Sequence, residues 1–234
     1  MKRTLLLSAV CAGVFFASCS KKSNDVSPSS NNGTTSKQTD MSYQLVATNK
    51  TANVEGKSTA TANIVWTSGM ANPRMIKFEA KKDGTEIEYK STNVDTIDLM
   101  NPISFGGFTI PSGTYDEIEL RIDLEKEGRT PALRLEGQFT NSTLSLPVVV
   151  EIDEPIELKT EQQDVTITDD MSFVAVTTLD LSTYTLGITT TMLLNAKLDN
   201  GVLVISSTSN KDLYNKILAH LHANHHVEFH HHKR

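Results

Sequence analysis

The chain has 234 residues, enough for one domain with a sizeable core, and 28 acidic against 22 basic residues give it a formal charge of −6. An acidic chain is repelled by a phosphate backbone, so nucleic acid is excluded as a partner. All seven histidines lie from His220 onward and both cysteines lie before Ser20, which leaves the body of the chain without a Ser–His or Cys–His nucleophilic pair.

At the N-terminus, Lys2 and Arg3 precede an apolar run from Leu5 to Phe16. Such a run is short of the ~20 residues a membrane span needs and suits the h-region of a signal peptide. It ends in Phe16-Ala17-Ser18-Cys19. Small residues directly before a Cys resemble the lipobox of bacterial lipoproteins. The resemblance implies a signal peptide of residues 1–18, acylation of Cys19, and the membrane as a partner reached through that lipid anchor. Cys11 falls in the removed segment, so Cys19 is the only thiol left. Removing residues 1–18 takes away two bases and no acid, which brings the charge to −8. The expected location is the cell envelope, as an outer-membrane lipoprotein. In Bacteroidetes-type lipoproteins, acids right after the Cys mark export to the outer face. Here Lys21 and Lys22 stand there and Asp25 is the first acid, so periplasmic and surface-facing orientations both stay open.

Residues 19–41 are mostly Ser, Asn, Thr and Lys, too polar to bury a core, and read as a flexible tether. As a random coil they would span roughly 25 Å on average. Residues 42–223 form the predicted domain. Its dominant period is two. In "DEIELRIDLEK", Ile118, Leu120, Ile122 and Leu124 face one way and Glu117, Glu119, Arg121 and Asp123 the other, the pattern of a strand with one wet face. "ANIVWTSG", "RMIKFEAKKD", "TEIEYKS", "ALRLEGQF", "LPVVVEI", "QDVTIT" and "FVAVTTLDL" read as further strands. Asp83-Gly84 and Asn200-Gly201 carry hairpin-turn chemistry. Trp66 is assigned to the core. Residues 181–195 are open between strand and short helix. Ser182 could cap a helix in which Tyr184, Ile188 and Met192 share a face, while the Thr run favours a strand. A closing helix is predicted over 210–223, started by Ser209 with Asp212 three residues on. Leu213, Ile217 and Leu221, with Tyr214 and Leu218, form its apolar stripe, and Asn224 stops it. The fold class is therefore all-β, an antiparallel β-sandwich with one C-terminal helix and room for one short internal helix.

The stretch "VDTIDLMNPISFGGFTIPSGTYDEIELRIDL" resembles a family of uncharacterised exported bacterial lipoprotein domains. The likeness rests on Ile110, Pro111, Ser112, Gly113 and Tyr115 followed by the alternating strand, and on the later "GVLVISSTSNKDLYNKI". It implies a β-sandwich of immunoglobulin or prealbumin type and brings no catalytic residues. Physically the motif is a structural turn. Pro111 fixes its own φ and keeps Ile110 extended, Gly113 serves the turn, and Tyr115 is expected to fold over the core with its hydroxyl outside.

No Gly-x-Ser-x-Gly, His-Glu-x-x-His or phosphate-cradling glycine loop is present. The remaining chemistry lies in acidic pairs: Asp95 and Asp98, Asp116 and Glu117, Glu151 with Asp153 and Glu154, and Asp169 with Asp170. Paired carboxylates can hydrolyse a glycoside or bind calcium, though acids in such places are mostly solvated strand faces and turns. Asp95-Thr96-Ile97 also matches the Asp-Ser/Thr-apolar acceptor of O-glycosylation in such exported proteins.

The tail holds His220, His222, His225, His226, His230, His231 and His232. A vector tag does not fit, since the longest run is three and Lys233-Arg234 follow it. Neutral imidazoles coordinate divalent metals, so Zn, Ni or Cu on residues 224–234 is the one cofactor to consider. If the last helix runs through His226, His222 and His226 lie one turn apart with His225 beside them. If it stops at Asn224, the tail is a solvated extension without fixed geometry. The expected function is non-enzymatic: a lipid-anchored envelope β-sandwich with a binding or structural role, its ligand a glycan or a surface protein. The alternatives are divalent-metal binding by the tail and a carboxylate-dependent glycan-processing enzyme.

Overall fold

The structure, a computed structural model, describes residues 38–56, 62–92, 94–102, 104–169, 171–223 and 225–233. Cys19 and the signal segment lie outside these residues, as does Asp170. The described chain opens with β1 (Gln38–Thr48), β2 (Thr51–Val54), β3 (Ala62–Ala71), β4 (Pro73–Lys82) and β5 (Thr85–Ser91). There follow β6 (Ile97–Asp98), β7 (Phe105–Pro111), β8 (Gly113–Leu124) and β9 (Leu133–Thr140). Then come β10 (Ser145–Ile152), β11 (Ile156–Ile167) and β12 (Met171–Asp180). A 3₁₀ turn at Leu181–Thr183 leads to α1 (Thr190–Leu194), β13 (Leu203–Ile205), α2 (Lys211–Ala223) and β14 (His225–Lys233).

Among the described residues the strands form three sheets. Their orders are β14-β12-β1-β7, β13-β10-β9-β3-β2 with β6 beside β3, and β11-β8-β4-β5. β1 with β12 and β10 with β13 pair in parallel; the other named pairs are antiparallel. The molecule is an all-β sandwich. The period of two explains why: among the described side chains, alternate apolar residues of the strands turn to one continuous core. On β8, Ile118, Leu120, Ile122 and Leu124 are all fully buried, and Trp66 on β3 is buried as expected. Phe108 of β7 ties two sheets together. Its ring stacks on Tyr89 at 4.2 Å, a β5 residue, and lies 4.9 Å from Phe78 of β4. Asp83-Gly84 and Asn200-Gly201 have φ of 51°, 73°, 50° and 84°, the paired positive values of a tight hairpin turn.

Several boundaries differ from the sequence expectation. β1 begins at Gln38, inside the predicted 19–41 tether, because Thr39 and Met41 already alternate into the core. Residues 181–195 are not one helix but two short turns around Gly187, whose φ is 69°. Asp180 rather than Ser182 caps the first, accepting from the Ser182 amide at 2.9 Å, and Thr189 caps α1. Tyr184 and Ile188 are buried nonetheless. Before α2, Asn210 rather than Ser209 takes the start position. Its carbonyl accepts from Leu213 and Tyr214, and its side-chain amide donates to the Lys197 and Val204 carbonyls. Ser209 is instead paired with Ser206 through the backbone. The predicted stripe of α2 holds, with Leu213, Tyr214, Ile217 and Leu221 buried where the helix meets β11 and β13.

The largest difference is at the C-terminus. Residues 225–233 neither continue the helix, which ends at Ala223, nor form a free extension. They are β14, antiparallel to β12, with Val227 opposite Thr177 and Phe229 opposite Ala175. β12 would otherwise offer an unpaired edge, and the alternation of Val227 and Phe229 with polar residues matches its pleat.

Candidate functional site

The outer face of the β11-β8-β4-β5 sheet carries the charge of the domain in an ordered way. The strand registers place Lys90, Lys77, Arg121 and Lys159 side by side, one from each strand. The next row holds Glu88, Glu79, Glu119 and Glu161, again one from each strand. The following row is Glu86, Lys81, Glu117 and Gln163, and on the far side of the basic row lie Asp123 and Glu157. A row of four bases thus lies against a row of four acids, across strands about 4.8 Å apart.

Like charges directly opposite one another are destabilising, whereas an opposite-charge pair would contribute ~0.2–1 kcal/mol. The face recovers part of this by reaching between rows. Lys77 bridges Glu79 at 2.7 Å and Glu88 at 3.3 Å, Lys159 bridges Glu119 at 2.8 Å, and Arg121 reaches Asp123 at 2.7 Å and Glu157 at 2.9 Å. Lys81 pairs with Glu117. These are exposed or half-exposed pairs, each worth ~0–1 kcal/mol.

The pairing sets the protonation of the acids. The Lys77 ammonium bonded to Glu79 holds that carboxyl below its ordinary value. The hydrogen bond to the Glu79 carboxylate pushes Glu86 above its own. Lys81 likewise holds Glu117 down. Carboxylate oxygens of Glu79, Glu86 and Glu88 come within 4.8 Å of one another, as do those of Glu117, Glu119 and Glu161. Where the face meets the β4–β5 turn, a shallow cleft of about 420 Å³ opens between Lys81, Thr85, Glu86, Asp116, Glu117 and Gln163.

Of the acids singled out from the sequence, only Asp116 and Glu117 belong to this face. Asp98 is a turn residue that accepts from the Asn101 side chain and the Met100 and Asn101 amides, and the Asn101 bond leads in holding its pKa down. Asp95 is exposed. Glu151 pairs with Arg134 and Asp153 with Lys126. One carboxylate oxygen of Glu154 is buried without a hydrogen-bond partner among the described residues.

Pro111, Gly113 and Tyr115 form the expected turn between β7 and β8, with one correction. Tyr115 is fully buried, and its hydroxyl donates back to the Pro111 carbonyl at 2.5 Å instead of lying outside. Burial pushes that phenol up to about 12. Donor and acceptor lie four positions apart, so the ring locks the turn that precedes β8. His220 and His222 lie on α2, where a His220 ring nitrogen meets the Leu186 carbonyl at 3.0 Å. His225, His226, His230, His231 and His232 lie on β14.

Lys77, Glu79, Lys81, Glu86, Glu88, Glu119, Lys159 and Glu161 were not picked out from the sequence as a site. The signal was present as polar positions of period two in four separate segments. Only the pairing order and register turn those positions into rows. No protein-family model matches the chain, and no curated protein or solved structure matches it. Among the described residues no helix is long and apolar enough to cross a membrane.

Proposed function

We propose that the protein is a lipid-anchored module of the bacterial cell envelope that binds a partner through its striped ionic face, without turnover. The observation that carries this reading is the alignment of four bases beside four acids on the β11-β8-β4-β5 sheet. Stability alone favours a checkerboard of opposite charges across strands. Rows of like charge cost stability and suit a partner with its own ordered charge, such as a glycan carrying regular charges or the charged face of a surface protein. The Phe16-Ala17-Ser18-Cys19 sequence supports anchoring, and the Ser/Asn-rich residues after Cys19 support a tether that holds this face away from the lipid.

A single feature favours a carboxylate-dependent enzyme instead. Glu79 is held low and Glu86 is pushed up, the split that an acid–base pair needs. The two lie on an open face against lysines, where water competes with every interaction. The test is incubation of the purified protein with charged and neutral oligosaccharides, reading both retention and release of reducing ends. Salt-sensitive retention without release is expected. Time-dependent release that is lost in Glu79→Gln and in Glu86→Gln contradicts the binding reading.

A further inference from the structure

The β11-β8-β4-β5 sheet ends on one side at β5, and among the described residues no strand other than β4 pairs with it. The β4–β5 turn has two residues, Asp83 and Gly84, so Lys82 and Thr85 close it as a hydrogen-bonded pair. Alternation along the ladder makes Ala80–Ile87, Phe78–Tyr89 and Ile76–Ser91 hydrogen-bonded pairs as well. Thr85, Ile87, Tyr89 and Ser91 therefore direct their N–H and C=O groups to β4. Glu86, Glu88 and Lys90 direct theirs outward along an open edge, and all three residues are exposed.

An open edge is a template for another strand, and charges on it decide which strand it admits. Those of β5 are of both signs. Pairing of two copies about a two-fold axis has to set outward-directed residues opposite one another. With Tyr89 on the axis, Glu88 lies opposite Lys90 of the second copy, and Lys90 opposite Glu88 of the second copy. Sliding one strand by two residues sets Glu88 against Glu88 in one direction and Lys90 against Lys90 in the other. A slip of one residue sets core-facing positions against outer ones. Charge and pleat thus agree on the register centred at Tyr89. On the core side of the same ladder Tyr89 meets its own copy and Ile87 meets Ser91. Ile87 and Tyr89 are apolar residues only partly buried at the rim of the core, and the pairing covers them.

We propose that β5 is a self-association edge: two copies join β5 to β5, antiparallel about Tyr89, through main-chain hydrogen bonds and two Glu88–Lys90 pairs. The two four-stranded sheets become one continuous sheet. The acid row Glu161, Glu119, Glu79 and Glu88 of one copy then runs on as Lys90, Lys77, Arg121 and Lys159 of the other. The proposal holds whatever the striped face binds. A seam one strand wide lies at the small end of specific interfaces, below ~1,200 Å², so the dimer is weak. Its ion pairs are exposed, so salt weakens it further.

The test is sedimentation velocity of the full chain at ~100 μM protein, in density-matched detergent with micelles in excess over chains. The wild type is expected to be mainly dimeric at low salt and to shift towards monomer at ~1 M salt, where the Debye length falls to ~3 Å. Glu88→Lys and Lys90→Glu are each expected to weaken dimerisation at least ~10-fold, since each sets like charges opposite one another. Mixed in equal amounts, the two variants are expected to pair with each other about as well as the wild type does, because their strands carry opposite charges. Glu86→Lys lies outside the Glu88–Lys90 pairs and is expected to change dimerisation by less than ~2-fold. A monomeric wild type overturns the proposal, as does a mixture of the two variants that stays monomeric or a Glu86→Lys loss equal to that of Glu88→Lys. Amide exchange of the wild type reads the seam without any variant. The outward N–H groups of Glu88 and Lys90 are expected to gain protection as the protein concentration rises, and unchanged protection overturns the ladder.

Discussion

Replacing Leu120 by Ala should lower the stability of the domain by about 2–5 kcal/mol, as expected for a core leucine truncated to leave a cavity. Leu120 is fully buried at the centre of β8, between Phe78 of β4 and Thr160 of β11 in the register. Ile118 and Ile122, its neighbours on the same face, are buried too, as is Phe78. A two-residue period leaves this part of the sheet little freedom to collapse into the space, because each strand is held by a ladder on both sides. Glu119→Ala, one residue away, reverses the situation. It removes an ion pair with a half-exposed lysine and should cost at most ~1 kcal/mol. Urea unfolding of both variants measures the contrast. Equal costs would mean that the face assignment of β8 is wrong.

Gly137→Ala should destabilise the domain by about 1–3 kcal/mol through overpacking, towards the upper end because backbone has to move. Gly137 stands in β9 opposite Trp66 of β3, beside the irregularity in β3 between Trp66 and Ser68. A Cβ built there would lie 2.6 Å from the Val65 carbonyl oxygen and 3.1 Å from both Trp66 Cα and its ring. The obstacle is main chain and a buried indole, neither of which can swing aside as a lysine tail could. The glycine is therefore required by a close approach of two strands. Gly201→Ala supplies the comparison, since its Cβ would meet nothing and its penalty comes only from the positive φ of the turn. A Gly137→Ala protein as stable as wild type would contradict the packing of β3 on β9.

Much of this architecture was legible in the chain because burial and alternation are local. The strands around Ile118–Leu124, Trp66 and Val148–Val150, the two positive-φ turns and the stripe of α2 all follow from periods of two or 3.6 read over a few residues. What escaped is long-range. Nothing in "RMIKFEAKKD", "TEIEYKS" or "IELKTEQQD" says that Lys77, Lys90 and Lys159 will line up with Arg121, since that depends on which strands pair and in what register. The parallel pairing of β1 with β12 joins residues far apart in the chain, and β1 drew its first residues from a stretch whose composition reads as linker. β14 was missed for a different reason. Its apolar pattern has only two members, Val227 and Phe229, too few for periodicity to register. The Tyr115 hydroxyl was misplaced because a phenol is expected to reach water, while here the Pro111 carbonyl satisfies it inside.

The proposed anchoring of the striped face at the envelope rests on Cys19, and the most direct measurement is intact-mass and N-terminal peptide mass spectrometry of the protein extracted from bacterial membranes. The account predicts a chain that begins at Cys19 and carries acyl chains on that residue, with Cys19→Ser yielding an unacylated protein released from the membrane fraction. A chain that begins elsewhere without acylation, or a Cys19→Ser protein that stays membrane-bound with unchanged processing, would contradict it.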